Sequence, residues 1–452
     1  MNVVIVGIGK IGSIICHELA DSNDIAIIEK NPDVLEAFIN TTDVSGLVGS
    51  GVEYDSLIKA GTPDCDVFIA VTAHDEINMI ACIFAKKLGA KYTIARVREH
   101  EYMTHPEFMR ESVGIDAIIN PEGESAQQIM SLLRFPSTDE VESFLNGRIN
   151  IVKFPINDEH PFVGMSLIEF QRQFKEHILV CIVVRDDVAI IPKGNFVLQG
   201  GDEIHVCGTT KALQNIFKQK HQKKIKSLLI VGGGRLTHYL LDEMKKSSVK
   251  YRVKVLEHNR QKAEAMAQMH PEVEVVFADG SNYHQLEEEG LIHYDCLISL
   301  TGIDEENILI AMYAHKRGLE HYITKINRPQ LLEIIGENNL KGVITPGNII
   351  ADTIVRLTRA VADTRGKEID DLFRLVDNQV EALQFYIPAN SEFVGKMLRD
   401  LPIKKNVLIV SIIHNDELLF PSGSDVISEN DRIIITTTDH SLRCIDDIFT
   451  KE

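Results

Sequence analysis

No segment of this chain reads as a membrane span. Its apolar runs are strand-length, and the one over residues 178–184 is ended at once by Arg185, well short of the roughly 20 residues a helix needs to cross a bilayer. The start, Met1-Asn2-Val3-Val4-Ile5-Val6-Gly7, lacks the basic residues and apolar stretch of a secretory signal. A cytoplasmic protein is expected, with no insertion of its own into a membrane. Cysteine is sparse. The seven (Cys16, Cys65, Cys82, Cys181, Cys207, Cys296 and Cys444) form no C-x-x-C pair, which excludes a disulfide scaffold and suggests buried thiols in a reducing compartment. The 17 histidines form no H-E-x-x-H and no tight cluster with cysteine, so no metal site is expected. Positive charge is also short: the net charge of −19 disfavours nucleic acid, whose binding rests on neutralising phosphates, and anionic membrane surfaces. Catalytic signatures are missing too. There is no G-x-S-x-G and no G-x-x-x-x-G-K-[ST], and no histidine recurs in both halves at a crevice position.

What the chain has instead is a repeat. Gly7-Ile8-Gly9 is echoed 225 positions later by Gly232-Gly233-Gly234. Thr72-Ala73-His74-Asp75-Glu76-Ile77-Asn78 is echoed 229 positions later by Thr301-Gly302-Ile303-Asp304-Glu305-Glu306-Asn307. Pro192-Lys193-Gly194 and Gly201-Asp202-Glu203-Ile204 recur at the same 229 offset, as Pro421-Ser422-Gly423 and Asn430-Asp431-Arg432-Ile433. Several separate matches at nearly one offset mean a duplicated module, with copies over 1–225 and 226–452 and a polar, basic linker over 219–226.

Inside copy one, strand-like apolar runs at 3–6, 25–29, 44–48, 67–71, 93–97 and 117–119 alternate with helical stretches at 11–20, 76–88 and 100–111. Short continuous apolar strands are those covered by helices on both faces, and alternating βα units imply a parallel, doubly wound sheet. A helix over 124–134, with its counterpart at 348–360, leaves each sheet. A lobe of about 70 residues follows, with strands at 152–155, 179–184 and 204–207, a tight turn at Asp186-Asp187, and equivalents at 383–387, 407–413 and 433–436. The expected fold is α/β: two tandem Rossmann-like doubly wound parallel sheets, each followed by a small α/β lobe. The expected domains are 1–135, 140–220, 226–360 and 368–452.

Gly7-x-Gly9-x-x-Gly12 follows a strand and opens a helix. There Gly7 makes the tight turn, Gly9 lets backbone approach a diphosphate, and Gly12 lets the helix pack on the sheet. Lys10 and Ile11 begin that helix, whose free N–H groups and dipole favour phosphate. Glu29 ends the second strand, 20 residues after Gly9, where a carboxylate accepts hydrogen bonds from both hydroxyls of an adenosine ribose. It repels a 2′-phosphate and does not separate NAD from ATP or ADP. In copy two the turn reads Gly232-x-Gly234-x-x-Thr237, with Arg235 at the place of Lys10, Leu236 at that of Ile11 and Glu257 at that of Glu29. Thr237 in the packing position is expected to loosen or shift the close approach. Asp279-Gly280-Ser281 follows the third strand, near an adenine; copy one has Gly49-Ser50-Gly51 there. The two sites are therefore not equivalent. Thr72, Asp75 and Asn78 sit on the crevice side, either beside a ligand or as a plain helix cap. Arg96 and Arg98, with Lys325 and Arg328, end the fifth strands and face phosphates, a neighbouring subunit or solvent.

These residues resemble a known family, the TrkA family of nucleotide-binding regulatory subunits of Trk potassium-uptake systems, built from RCK domains. The resemblance is carried by Gly7-Ile8-Gly9-Lys10-Ile11-Gly12, Glu29 and Thr72 through Asn78. It is also carried by Gly232-Gly233-Gly234-Arg235, Asp279-Gly280, and the lobe pieces Phe162-Val163-Gly164 and Phe393-Val394-Gly395. It covers essentially the whole chain, in the order RCK-N, RCK-C, RCK-N, RCK-C. It implies a non-catalytic protein that binds NAD(H) and ATP or ADP. It also implies a homo-oligomeric, tetrameric ring on the cytosolic face of a potassium-translocating membrane subunit of TrkH or TrkG type, whose gate it controls. Gly7, Ile8, Gly9, Lys10, Ile11, Gly12, Glu29, Gly49, Thr72, Asp75 and Arg98 then belong to the first nucleotide site. Gly232, Gly234, Arg235, Leu236, Glu257, Asp279 and Gly280 belong to the second.

Three other readings compete: an RCK-type regulator of another potassium channel or antiporter, an NAD-dependent oxidoreductase, and a scaffold with decayed sites. The second would need a catalytic acid or base and a substrate domain, whereas the remaining length goes to a second Rossmann unit.

Overall fold

The computed structural model describes residues 1–20, 23–99, 102, 112–136, 138, 141–144, 148–174, 177–218, 225–335, 340, 342–363, 369–376, 379–388, 391, 393–415, 417–440, 442 and 444–450. The helix expected over 100–111 and the linker expected over 219–226 lie largely outside the described residues.

Copy one opens with β1 (Asn2–Val6), α1 (Lys10–Ala20), β2 (Asp24–Glu29), α2 (Pro32–Ile39), β3 (Ser45–Val48), α3 (Tyr54–Lys59), β4 (Val67–Ala70), α4 (Asp75–Leu88), β5 (Tyr92–Arg96), β6 (Ala117–Ile119) and α5 (Pro121–Arg134). The strands form one sheet in the order β3-β2-β1-β4-β5-β6, parallel throughout. Local chemistry sets the helix ends. Asn31 caps α2, its Oδ1 accepting from Asp33 N at 3.0 Å, and Pro32 stands where no N–H is needed. Helix α4 has Asp75 and Glu76 in its first turn, Lys86 and Lys87 in its last, and stops at Gly89 with φ +125°. The lobe adds β7 (Val141–Phe144), β8 (Ile149–Pro155), α6 (Leu167–Arg172), β9 (Ile178–Arg185), β10 (Val188–Ile190), β11 (Glu203–Gly208) and α7 (Thr210–Lys218). Asp186 and Asp187 take φ +51° and +61° in the β9–β10 hairpin, the left-handed pair such a two-residue turn requires.

Copy two repeats the order: β12 (Ser227–Val231), α8 (Arg235–Lys246), β13 (Arg252–Glu257), α9 (Arg260–Met269), β14 (Glu274–Phe277), α10 (Tyr283–Glu288), β15 (Cys296–Ser299), α11 (Asp304–Lys316), β16 (His321–Lys325), α12 (Gln330–Ile335), β17 (Val343–Ile344) and α13 (Pro346–Asp363). The second lobe has β18 (Ile369–Leu375), β19 (Val380–Tyr386), β20 (Val407–His414), β21 (Glu417–Leu419) and β22 (Arg432–Thr437). Its large sheet runs β14-β13-β12-β15-β16-β17, the order of copy one. The two lobe sheets match as β10-β9-β11-β8-β7 and β21-β20-β22-β19-β18.

The chain divides into two compact units. One holds residues 1–133 and 224–361, the other 134–223 and 362–452. Both Rossmann-type sheets thus share one unit and both lobes the other. In the first unit the joint is a helix of copy two laid on copy one: Ile350, Ala351, Ile354 and Val355 of α13 are buried in one core with Val3, Ile5, Ile15 and Ile27 of copy one. Fully burying a side chain of this size contributes roughly 1.5–3 kcal/mol, so the stripe ties copy two to the first sheet. In the second unit one core joins the faces of the two lobe sheets, through Phe144, Ile151, Cys181 and Cys207 with Val380, Ala382, Val410 and Ile434. Gln379 adds a polar tie, accepting from Ala189 N and donating to Asp187 O, both at 2.9 Å.

Six of the seven cysteines are buried and Cys444 is half-buried. Among the described residues no helix is long and apolar enough to cross a membrane, and no group of three or more His, Cys, Asp or Glu could hold a metal ion.

Candidate functional site

Each glycine turn is built against its own sheet. Gly7 has φ +91°, and a Cβ there would meet Thr72 at 3.1 Å. A Cβ on Gly12 would stand 2.1 Å from Gly7 O, so no side chain fits, whereas Gly9 faces open space. Gly9 and Lys10 are exposed, while the Ile8 side chain is buried and Ile11 half-buried. Gly9 therefore offers unobstructed backbone, followed by the first turn of α1, whose N–H groups have no partner within the helix. Glu29 closes the turn from the side. Its Oε2 accepts from Ile8 N and its Oε1 from Asn31 N, both at 2.9 Å. A carboxylate has about four acceptor sites, so each oxygen keeps capacity for a hydroxyl donor.

The second turn is the same device with two changes. Gly232 has φ +106° and a Cβ there would strike Leu300 at 2.8 Å. Glu257 accepts from Gly233 N at 2.7 Å and Asn259 N at 2.8 Å, and is buried where Glu29 is half-buried. Thr237 takes the place of Gly12 without being left unsatisfied: its fully buried hydroxyl donates to Gly232 O at 2.5 Å. The expected loosening is thus met by a hydrogen bond between helix and turn. Gly234 caps α8 with no side-chain bond, leaving that helix start to backbone N–H groups. Leu236 is buried. Arg235 is exposed and pairs with Glu99 of copy one.

After the third strands, a Cβ on Gly51 would stand 2.4 Å from Val6, and one on Gly280 would stand 2.2 Å from Val231. These two glycines are equivalent, which makes Ser50 the counterpart of Asp279. The sequence places Gly49-Ser50-Gly51 here with Gly49 as the site residue, whereas the 229 offset matches Ser50 and Gly51 to Asp279 and Gly280. Gly49 donates its N–H to Glu29 O at 2.9 Å, and a Cβ there would strike Ser56 Oγ at 2.4 Å. Asp279 is exposed and its Oδ1 accepts from Ser281 N and Oγ at 3.0 and 2.7 Å.

On the crevice side, Asn78 is fully buried. It accepts from Thr72 N at 2.8 Å and donates to Arg96 O at 2.9 Å, tying the ends of β4 and β5 together. Asn307 does the same with Thr301 N and Lys325 O, at 2.8 and 3.0 Å. Asp75 is buried, and its Oδ2 accepts from Arg98 N and Glu99 N at 2.7 and 2.8 Å. Thr72, Asp75 and Asn78 thus brace the crevice rim. Arg98 donates to Ala73 O and lies 3.6 Å from Asp75. Glu122 of α5 and Arg96, both half-buried, couple electrostatically to Arg98. Burial pushes the Glu122 carboxyl up and the Arg96 guanidinium down, Arg98 adding to the latter. Burial likewise lowers Lys325 at the matching place in copy two.

The TrkA-N domain model matches residues 3–121 and 228–346, and the TrkA-C domain model matches 151–221 and 382–450. The Trk system potassium uptake protein TrkA homolog 2 of Methanosarcina mazei is 27% identical over 461 residues, covering 99% of this chain and 100% of that one. The Trk system potassium uptake protein TrkA of Haemophilus influenzae is 28% identical over 450 residues, covering 97% and 96%. Among solved structures, the GsuK channel bound to NAD superposes with TM-score 0.61 at 17% identity, covering 99% of this chain and 78% of that one. These are uptake and channel proteins rather than enzymes, in keeping with the lack of catalytic motifs. Two glycine turns closed by Glu29 and Glu257, two small lobes and a matching model over each of the four segments together place this chain in the TrkA family of potassium-uptake proteins.

Proposed function

We propose that this protein is a cytosolic regulatory subunit that binds NAD(H) and ATP or ADP at its two glycine turns and gates a potassium-translocating membrane subunit of TrkH or TrkG type. The observation that carries the reading is the repeated pairing of a glycine turn with a strand-end carboxylate. Glu29 and Glu257 each hold the turn's own N–H and keep acceptor capacity toward it, which suits a ribose diol beside a diphosphate. Gly7, Gly9, Gly12, Glu29 and Gly49 form the first site. Gly232, Gly234, Arg235, Glu257, Asp279 and Gly280 form the second. Thr72, Asp75 and Arg98 shape the rim. NAD, ADP and ATP share the ribose diol, so one device serves all three. The carboxylates repel a 2′-phosphate, which disfavours NADP.

The subunit works as a homo-oligomeric, tetrameric ring. Ile80 and Phe84 on α4, and Leu309 and Met312 on α11, are exposed apolar residues at matching helices of the two copies, as expected of surfaces that pack in an assembly. The functional domains are 1–135, 140–220, 226–360 and 368–452. A ligand biases a gate only through its differential affinity for two states, with coupling of about 1–3 kcal/mol per site. The test is potassium flux through the membrane subunit in proteoliposomes, with this protein added and NADH or ATP varied. Nucleotide-dependent flux is expected. Flux indifferent to both nucleotides would overturn the reading.

A further inference from the structure

Arg235 begins α8 at the second phosphate turn, yet its guanidinium is bonded to Glu99, at the crevice rim of the other copy. Glu99 is not a loose surface acid. Its own N–H, with that of Arg98, is gripped by the buried Asp75 carboxylate. One turn further along α8, Tyr239 reaches the same rim: its hydroxyl accepts from Asn120 Nδ2 at 2.9 Å and donates to Arg98 O at 3.4 Å. Helix α8 is thus seated on the first copy's rim by an ion pair and a tyrosine, on the face that also starts the phosphate turn.

The internal repeat supplies a control within the same molecule. The 225 offset puts Lys10 and Ile14 at the places of Arg235 and Tyr239, and the 229 offset puts Arg328 at that of Glu99. Where copy one's rim offers a carboxylate, copy two's rim offers a cation. Arg328 is already neutralised within its own copy, by Asp304 at 3.3 Å and Glu305 at 2.6 Å. Among the described residues, then, an ion pair with the other copy reaches Arg235 at the second turn, and none of that kind reaches Lys10 at the first.

Resting on the nucleotide-binding reading, we propose that Glu99 is a built-in competitor for the second site, which the phosphates of a nucleotide at Gly232–Gly234 must displace from Arg235, whereas the first site has no such competitor. Arg binds carboxylate and phosphate with the same planar fork, so the two anions compete for one group. Displacing Glu99 also releases part of the seat of α8 on the other copy. Occupancy of the second site is thereby linked to the rim of the first, and by reciprocity the first rim sets the affinity of the second site.

The test is calorimetric titration of the full-length protein carrying Glu29→Ala, which weakens the first site for ribose-bearing ligands, with ATP, tripolyphosphate and adenosine, each compared with and without Glu99→Gln. The pair is about half exposed on both sides, so Glu99→Gln is expected to tighten ATP and tripolyphosphate by about two- to fivefold, the scale of an exposed ion pair. Adenosine, with no phosphate, is expected to be unchanged. In an Arg235→Gln background Glu99→Gln is expected to have no effect. Unchanged or weaker ATP binding in Glu99→Gln would overturn the proposal and leave the nucleotide reading standing, as would an equal gain with Arg235 removed. Failure of the unaltered full-length protein to bind any nucleotide would overturn that reading itself.

Discussion

Gly12 and Thr237 stand at the same place in the two halves, between the glycine turn and the helix it opens, and meet its demand differently. At Gly12 any Cβ falls 2.1 Å from Gly7 O. At Thr237 the backbone accommodates a side chain because the hydroxyl bonds that same carbonyl's counterpart, Gly232 O. Gly12→Ala is therefore expected to destabilise the protein by about 1–3 kcal/mol through overpacking. Thr237→Val, which keeps the shape and loses the bond, is expected to cost about 1 kcal/mol; urea unfolding checks both. If Gly12→Ala proves neutral, the close approach is not a constraint. The glycine pattern and the strand-end glutamates were legible in the sequence because their spacing is fixed by the βα turn. Thr237 was read only as a departure, since a hydroxyl's partner is set by geometry that spacing does not give. Asp75 was read as either a ligand contact or a cap. Its actual bonds, to Arg98 N and Glu99 N, join segments that only the folded sheet brings together.

At the scale of elements, the parallel sheets were legible from short apolar runs alternating with helices. The packing of α13 on the first sheet was not, because an amphipathic stripe shows that a helix must be covered but not by which sheet. Two of the lobes' edge strands, β7 and β18, are not legible either; they carry Glu142 and Ser143, and Asp370, Asp371 and Arg374, which blurs the strand pattern. One lobe strand carries a testable asymmetry. His205 on β11 is buried and its Nε2 has no hydrogen-bond partner, and burial pushes it down to about 3, Lys153 adding to the shift. The matching strand of the second lobe has Ile434. The folded state keeps His205 neutral while the unfolded chain protonates it below about pH 6.5. The unfolded state thus binds more protons, and stability falls as pH drops from about 6.5 toward 3. His205→Ile is expected to remove that slope and to raise stability by about 2 kcal/mol at pH 5 relative to the unaltered protein. Thermal unfolding from pH 8 to pH 4 reads it. An unchanged pH slope would show that His205 is not the titrating group.

At the scale of the whole molecule, the tandem order was legible because several motifs recur at nearly one offset. The pairing of sheets with sheets and lobes with lobes is a tertiary fact that no local pattern records. Exposed apolar residues at matching helices carry the expectation of assembly. If the protein assembles as proposed, Phe84→Glu with Leu309→Glu is expected to lower the assembled mass read by light scattering, with folding unchanged because both side chains are exposed. An unaltered mass would remove those helices from the interface.

The central claim is that one chain carries two non-equivalent nucleotide sites. It is tested most directly by calorimetric titration of NAD, NADH, ADP and ATP into the unaltered protein, Glu29→Ala and Glu257→Ala. Each carboxylate offers charge-assisted bonds of roughly 1.5–3 kcal/mol. Each variant is therefore expected to weaken one site by about tenfold or more and to leave the other, with its own nucleotide preference, in place. Unchanged affinities in both variants would contradict the account.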